Sequence, residues 1–317
     1  MKVVHIHQPG GPEVLVLEEA DIPTPGPKEA LVRIESIGVN FIDIYHRTGL
    51  YPLDVPFILG REAAGTVESV GGEVSEVKAG ERVAYVLFPS YAEYAIVPSW
   101  MLVPLPSSLS FNTAAALLLQ GLTAHYLAHS TFPIQPGNRV LIHAAAGGVG
   151  LLLVQIAKAL GAQVFGTVST EAKAIAATNA GADIVIRYTE DDFEEVIKQE
   201  TQGEGLHVVY DSVGATTFDK SLKCLRPRGM LALYGASSGP VPPFDLARLA
   251  GAGSLFITRP TLNHYILNRK ELLDRSQTLF NLVEQDKLNI TIDQELPLGS
   301  ASRAHELLEG RKTSGKL

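Results

Sequence analysis

Residues 143–150 read HAAAGGVG and stand between the apolar runs RVLI (139–142) and LLLVQIAKALGA (151–162). Six of those eight residues are alanine or glycine, and that one stretch limits the fold more than any other. A short apolar run, a turn of small residues and a long helical pattern describe a strand that reverses tightly into a helix packed close upon it. Residues 145–150, AAGGVG, fit the G-x-G-x-x-G frame with Ala145, Gly147 and Gly150 at its fixed positions. The first position demands a tight turn, which alanine can enter at negative φ. The second lets a pyrophosphate approach the backbone, and the third lies where helix meets strand. A helix starting near Gly148 would aim its free N–H groups at phosphate. Strand before and helix after are the context this fingerprint requires, so the spacing predicts dinucleotide binding.

The rest of the chain supplies a matching frame. Up to about residue 120, short runs rich in Val, Ile and Tyr (KVVHIH, VLVLEEA, ALVRIESIGV, AGTVESVG, RVAYV, YAEYAIV) are separated by turn segments such as QPGGPE and PTPGPKE. This reads as a barrel-like or sandwich-like β unit. From about 137 the rhythm changes to strand then helix: RVLIHA, QVFGTV, DIVIRY, LHVVYD, MLALYG and SLFITRP are strands, with helical patterns between most of them. ATTFDKSLKCLRPRG reads as one such helix. Continuous apolar strands alternating with helices predict a parallel, doubly wound α/β sheet covered on both faces. Residues 260–317 are mostly helical with one strand, ITIDQEL, too few strands to fold alone. They are expected to return to the first unit, giving 1–120 with 260–317 as one domain and 121–259 as the dinucleotide-binding domain.

Composition excludes several function classes. The 317 residues are 46% hydrophobic and 19% charged, which supports a globular core. A net charge of −8 without Lys/Arg runs argues against nucleic acid and against an anionic membrane surface. The longest apolar run, 140–157, contains His143, Gln155 and paired glycines, so it reads as buried strand plus buried helix rather than a membrane span. MKVVHIHQPGG lacks the apolar core of a signal peptide. One cysteine, Cys224, allows neither an internal disulfide nor a multi-Cys zinc site, and a reducing cytoplasm is the expected compartment.

The cofactor class can be narrowed further. An NAD site carries Asp or Glu at the end of the second strand. Here that strand ends at Val168, followed by Ser169 and Thr170, and Glu171 falls too late. Lys173 and Tyr188 lie nearby in the sequence pattern. Hydroxyls and a lysine suit a 2′-phosphate that a carboxylate would repel, so NADP (NADPH) is expected.

The chain resembles the zinc-free quinone oxidoreductase branch of the medium-chain dehydrogenase/reductase superfamily. The motifs that carry the resemblance run nearly end to end. They include PTPGPKEALVRI (23–34), GVNFIDIYHRTGLYP (38–52), GREAAGTVESVG (60–71), VKAGERVAY (77–85), AAALLLQGLTAHYL (114–127), HAAAGGVG, VVYDSVG (208–214), LYGASSGPV (233–241) and ITRPTL (257–262). The resemblance implies a GroES-like β-barrel domain with a Rossmann domain inserted. It implies that Gly147, Gly148 and Val149 hold the pyrophosphate and that Ser169, Lys173 and Tyr188 hold the 2′-phosphate. It places Asn40 and Thr123 near the nicotinamide, and Ser212, Gly235, Ser237 and Ser238 along the rest of the cofactor groove. The acceptor is expected by Asn40, Tyr45 and Tyr51, where a tyrosine hydroxyl within reach is a candidate proton donor. Many relatives have lysine where this chain has Gln120.

No metal is expected in the chemistry. Where the zinc alcohol dehydrogenases have Cys and His ligands, this chain has Asn40 and Arg61, neither a credible zinc ligand. The pairs His5/His7 and His125/His129 lack an obvious nearby carboxylate and leave a zinc site short of ligands. The expected activity is therefore hydride transfer from NADPH to a quinone. The alternatives are reduction of activated alkenes (enals, enones, enoyl thioesters) and a non-catalytic, crystallin-like cofactor-binding role. The resemblance also implies a homodimer through the Rossmann domains, with SLFIT (254–258) as a plausible edge. The ending RKTSGKL stops a few residues short of the family pattern, so either a truncated chain or an absent last strand is expected.

Overall fold

The computed structural model describes residues 1–317. In chain order its elements are β1 (Lys2–Ile6), β2 (Val16–Glu19), β3 (Glu29–Ile37), α1 (Phe41–Arg47), β4 (Phe57–Ile58), β5 (Glu62–Val70), β6 (Arg82–Val86), β7 (Tyr94–Pro98), β8 (Val103–Pro104) and α2 (Phe111–Tyr126). They continue as β9 (Arg139–Ile142), α3 (Gly148–Ala159), β10 (Gln163–Val168), α4 (Glu171–Asn179), β11 (Ile184–Arg187), α5 (Phe193–Glu200) and β12 (Leu206–Asp211). The chain closes with α6 (Phe218–Lys223), β13 (Leu225–Leu233), α7 (Ala247–Gly251), β14 (Phe256–Thr258), α8 (Arg269–Glu284) and α9 (Ala301–Glu309). Two compact units emerge. One joins Met1–Leu122 to Ile266–Asp286 and Ile290–Leu317, and the other is Thr123–Tyr265 with Lys287–Asn289.

The first unit holds a five-stranded antiparallel sheet, ordered β7-β3-β5-β6-β8, and a three-stranded sheet, ordered β2-β1-β4. Alternation along β1 buries Val4 and Ile6 against Leu59 and Tyr91. Hydrophobic burial of this kind supplies about 25 cal/mol per Å² of apolar surface removed from water.

The second unit holds a six-stranded parallel sheet ordered β11-β10-β9-β12-β13-β14. The strand order reverses at β9, which has β10 on one side and β12 on the other. In a doubly wound sheet, ligands bind outside the carboxyl ends of the strands at such a reversal. Leu141, Phe165, Ile186, Val209 and Leu231 from five adjacent strands share one core cluster with helix residues Phe193, Ile197, Phe218 and Leu222. The 140–157 run divides between β9 and α3, and no helix is long and apolar enough to cross a membrane.

Two segments differ from the sequence reading. The helix expected through LRPRG stops at Lys223, and Leu225–Gly229 opens β13 instead. Pro227 has no N–H to continue a helix, and Leu225 pairs with Leu206. The strand expected at ITIDQEL shrinks to a single parallel bridge, Ile292 to Lys316, with Asp293 N donating to Lys316 O and Lys316 N to Thr291 O. The last residues pair only through that bridge, and Leu317 O accepts from Val39 N.

Candidate active site

The turn after β9 keeps Ala145 out of the left-handed region, as its residue type requires, while Ala144 takes that conformation, at φ 52°. Ala145 is fully buried and its N–H donates to Thr167 O at the end of β10. Gly147 caps α3 in extended conformation, φ −79°. A Cβ on Gly150 would lie 2.3 Å from Ala144 O and 2.9 Å from Ala145 Cα, so only glycine lets the helix pack this tightly. A Cβ on Gly147 would meet nothing closer than Ala144 O at 3.2 Å. The chain itself demands glycine at 150, whereas at 147 a Cβ would press only on Ala144 O. The first N–H groups of α3 have no partner within the helix, and with its dipole they form an anion site.

A buried polar network supports the turn from below. His143, at its first residue, is 2.9 Å through Nδ1 from Thr167 Oγ1 and 3.0 Å through Nε2 from Ser221 Oγ. Ser221 Oγ donates to Asp211 Oδ2, as does Thr217 Oγ1. Asp211 Oδ1 accepts from the N–H groups of Val213 and Gly214. Burial holds the His143 imidazole below its ordinary range despite the nearby Asp211 charge. The network ties the carboxyl ends of β9, β10 and β12 together, and sequence reading missed it. A histidine opening a glycine turn and an aspartate closing an apolar strand were its only signals.

The candidate cofactor residues lie on the same strand ends. Ser169 follows β10, and Tyr188 follows β11 with its N–H on Val168 O. Thr170 caps α4 and accepts from Lys173 N, so Lys173 stands in the first turn of that helix. Val168 is buried, and no carboxylate ends β10. Glu171 points outward to Arg187, at 3.2 Å. Ser212 and Gly235 follow β12 and β13, where Ser237 N donates to Ser212 O and Ser238 Oγ to Val213 O. Thr123 is buried within α2. These donors, one lysine and two helix N-termini fit a phosphorylated dinucleotide.

In the first unit, Asn40 sits immediately before α1. Its Nδ2 donates to Gly38 O at 3.0 Å and Glu62 Oε2 at 2.9 Å, while its Oδ1 accepts from Lys316 Nζ at 2.7 Å. Lys316 Nζ also reaches Glu62 Oε2 at 2.6 Å, with both side chains at most 2% exposed. Glu62 Oε1 accepts from Leu119 N. Gln120 Nε2 lies 3.5 Å from Asn40 Oδ1. Gln120 and Lys316 thus converge on the same Asn40 oxygen, and only Lys316 brings a charge to it. Neither Glu62 nor Lys316 was singled out from sequence, although both stand in quoted motifs.

A second chain of bonds runs behind Asn40. Arg47 donates bidentately to Glu309 and, from Nη1, to His305 Nδ1 at 3.3 Å. Because that nitrogen accepts, the neutral imidazole carries its hydrogen on Nε2 and donates to Tyr91 Oη at 3.0 Å. Tyr91 Oη in turn donates to Asp43 Oδ2 at 3.3 Å, where Asn40 N also donates. Asp43 Oδ1 has no partner. Burial pushes the Asp43 carboxyl up to about 7, against the opposing pull of Asn40 N–H, Lys316, Tyr91 and Arg61. Burial, with Arg47 alongside, takes His305 down to about 3.

Tyr45 and Tyr51 meet edge to face, ring centroids 5.2 Å apart, with Tyr51 N on Tyr45 O. Tyr45 is buried and Tyr51 is 37% exposed. The structure therefore gathers Asn40 and Tyr45 on α1 and its start, with Tyr51 packed against Tyr45.

The zinc question rests on donor chemistry. Asn40 Oδ1, the one atom that residue could offer a metal, accepts from the Lys316 ammonium, and Arg61 is a cation near Asp43. Neither offers a metal ligand.

Comparison with known proteins agrees with this geometry. The family model described as alcohol dehydrogenase GroES-like domain matches residues 26–107, and that described as zinc-binding dehydrogenase matches 148–284. The chain is 45% identical over 317 residues to quinone oxidoreductase 1 of Escherichia coli (strain K12), covering 98% of this chain and 97% of the relative. It is also 45% identical over 321 residues to a 2-haloacrylate reductase of Burkholderia sp, covering 98% and 96%. The crystal structure of Escherichia coli quinone oxidoreductase complexed with NADPH superposes with a TM-score of 0.98 at 44% identity, covering 100% of this chain and 98% of that one.

Proposed function

This chain belongs to the zinc-free quinone oxidoreductase branch of the medium-chain dehydrogenase/reductase superfamily, and from that premise we propose that it transfers a hydride from NADPH to a quinone. The observation that carries the reading is the β9–turn–α3 geometry, in which a Cβ at Gly147 would press only on Ala144 O and one at Gly150 would strike backbone. NADPH supplies the hydride when bound. The turn residues Gly147, Gly148 and Val149 would hold its pyrophosphate, and Ser169, Lys173 and Tyr188 its 2′-phosphate. Thr123, Ser212, Gly235, Ser237 and Ser238 would complete the cofactor's contacts. In the first unit Asn40, Tyr45 and Tyr51 would meet nicotinamide and acceptor. Lys316 and Glu62 fix the Asn40 amide in one orientation, which such positioning requires.

A quinone is already electron-poor, so its reduction needs no Lewis acid to polarise a carbonyl. The donor set at Asn40 and Arg61 is consistent with that economy. A second reading, reduction of a conjugated alkene, has a specific support: the equal 45% identity to a 2-haloacrylate reductase. The test is loss of NADPH absorbance with benzoquinone or phenanthrenequinone, with a haloacrylate and an enone in parallel and NADH as control. Turnover of quinones with NADPH supports the proposal. Turnover confined to the alkenes moves the protein to the second reading, and cofactor binding without turnover of any acceptor overturns both.

Two further features belong to this reading. Dimerisation is proposed through β14, which ends the parallel sheet as an edge strand and leaves Phe256 56% exposed. A monomer by light scattering at micromolar concentration would contradict it. Action in the cytoplasm is supported by the one cysteine, Cys224, which is buried and free.

A further inference from the structure

The β1–β2 hairpin carries a group of side chains that hydride transfer does not use. His5 lies in β1 and His7 follows two residues on, so both leave the same face of the extended chain. β2 runs antiparallel beside β1, with Glu18 opposite Val3 and Val16 opposite His5. That register sends the Glu18 carboxylate between the imidazoles. Its Oε2 lies 2.7 Å from His5 Nδ1 and its Oε1 2.8 Å from His7 Nε2. The three ligand atoms all fall within 4.8 Å of one another, and no other group of three His, Cys, Asp or Glu is so arranged. This corrects the expectation that the His5/His7 pair has no carboxylate at hand.

We propose that His5, His7 and Glu18 form a binding site for a divalent transition-metal ion of the zinc class, completed by water. Two imidazole nitrogens and one carboxylate oxygen are a donor set that Zn²⁺ takes in three-ligand sites with an open position. Two nitrogens disfavour Mg²⁺ and Ca²⁺, which prefer oxygen cages. With metal–ligand bonds of roughly 2.0–2.2 Å, tetrahedral neighbours stand about 3.3 Å apart. The present N···O separations would open by roughly half an ångström, within reach of side-chain rotation. The side chains are 23%, 53% and 34% exposed, so the ion and its water have access. The ligands come from two strands, and β2 is an edge strand of its sheet. A bound ion would clamp that edge to β1. The site is built on the three-stranded sheet, whereas Glu62 belongs to the other sheet, so the proposal does not depend on the activity argued above.

The test is calorimetric titration of EDTA-stripped protein with Zn²⁺ at neutral pH, paired with thermal melts. The expected result is one ion per chain and a Tm that rises with zinc concentration. His7→Ala and Glu18→Gln should each weaken binding by at least about tenfold, the loss that follows even when an outer partner of a ligand is removed. His7 is more than half exposed, so its variant should fold, with circular dichroism as the check. The double variant His125→Ala/His129→Ala, which removes the other histidine pair (ring centroids 4.4 Å apart), should bind as the parent does. Equal affinity in the parent and His7→Ala would overturn the proposal, as would loss of binding in the His125/His129 variant. So would the absence of heat and of any Tm shift at about 100 micromolar zinc.

Discussion

Lys316 Nζ lies 2.6 Å from Glu62 Oε2, across 254 positions of sequence, and both side chains are out of solvent. A buried ion pair is a poor source of net stability, but breaking one side leaves a stranded charge at a cost of about 3–5 kcal/mol. Lys316→Met should therefore lower stability by about that amount. Adding Glu62→Gln should recover part of it, because the stranded charge is removed while the one amide oxygen can still accept from Leu119 N. Denaturant unfolding of the two variants measures the difference. Equal stability of the single and double variants would show that the pair carries no such strain.

The two glycines of the turn should separate fold from binding. Gly150→Ala brings a methyl within 2.3 Å of Ala144 O, an overpacking that costs about 1–3 kcal/mol in melting experiments. Gly147→Val should melt close to the parent yet lose most of its NADPH affinity, read by fluorescence titration. If Gly147→Val binds NADPH normally, the pyrophosphate does not lie over this turn.

Lys173 should decide between the two nicotinamide cofactors. A charge-assisted hydrogen bond contributes about 1.5–3 kcal/mol, so Lys173→Ala should raise KM for NADPH by roughly ten- to a hundredfold. KM for NADH should hardly move. A parallel rise for both cofactors would place Lys173 away from the 2′-phosphate.

Asp43 gives the folded chain a pH dependence of unusual sign. Its carboxyl is raised from 3.8 to about 7, so between those values the folded chain keeps a proton that the unfolded chain has released. Stability therefore falls as pH climbs through that window, and the loss is complete above about 7. His305 acts oppositely: its fall from 6.5 to about 3 makes stability drop as pH is lowered between those values. Asp43→Asn removes the first effect and keeps the second. Its stability relative to the parent should grow from about pH 4 to pH 7 and then level off, as denaturant titrations across pH will report. Parallel profiles would mean that Asp43 is ionised throughout.

What the sequence disclosed follows from how local each feature is. The β9–α3 turn and the strand–helix alternation of residues 137–259 are written in neighbouring residues, and periodicity reads them well. The left-handed conformation of Ala144 is a backbone detail that residue types do not encode. The Lys316–Glu62–Asn40 group joins three distant segments, and no spacing rule connects them. Glu18 was hidden for a related reason. The two histidines show a strand period, but the carboxylate between them depends on the register of β1 against β2.

The unit containing Asn40 and Glu62 is discontinuous in sequence, and Lys316 and Leu317 supply its last contacts. The unit containing the glycine turn is nearly contiguous. On the ribosome, where chains emerge at about 5–20 residues per second, the parallel sheet can close while its host still waits for its final residues. Order of synthesis thus lets the unit with the glycine turn close first, and leaves the unit with the buried lysine to be completed by segments made later.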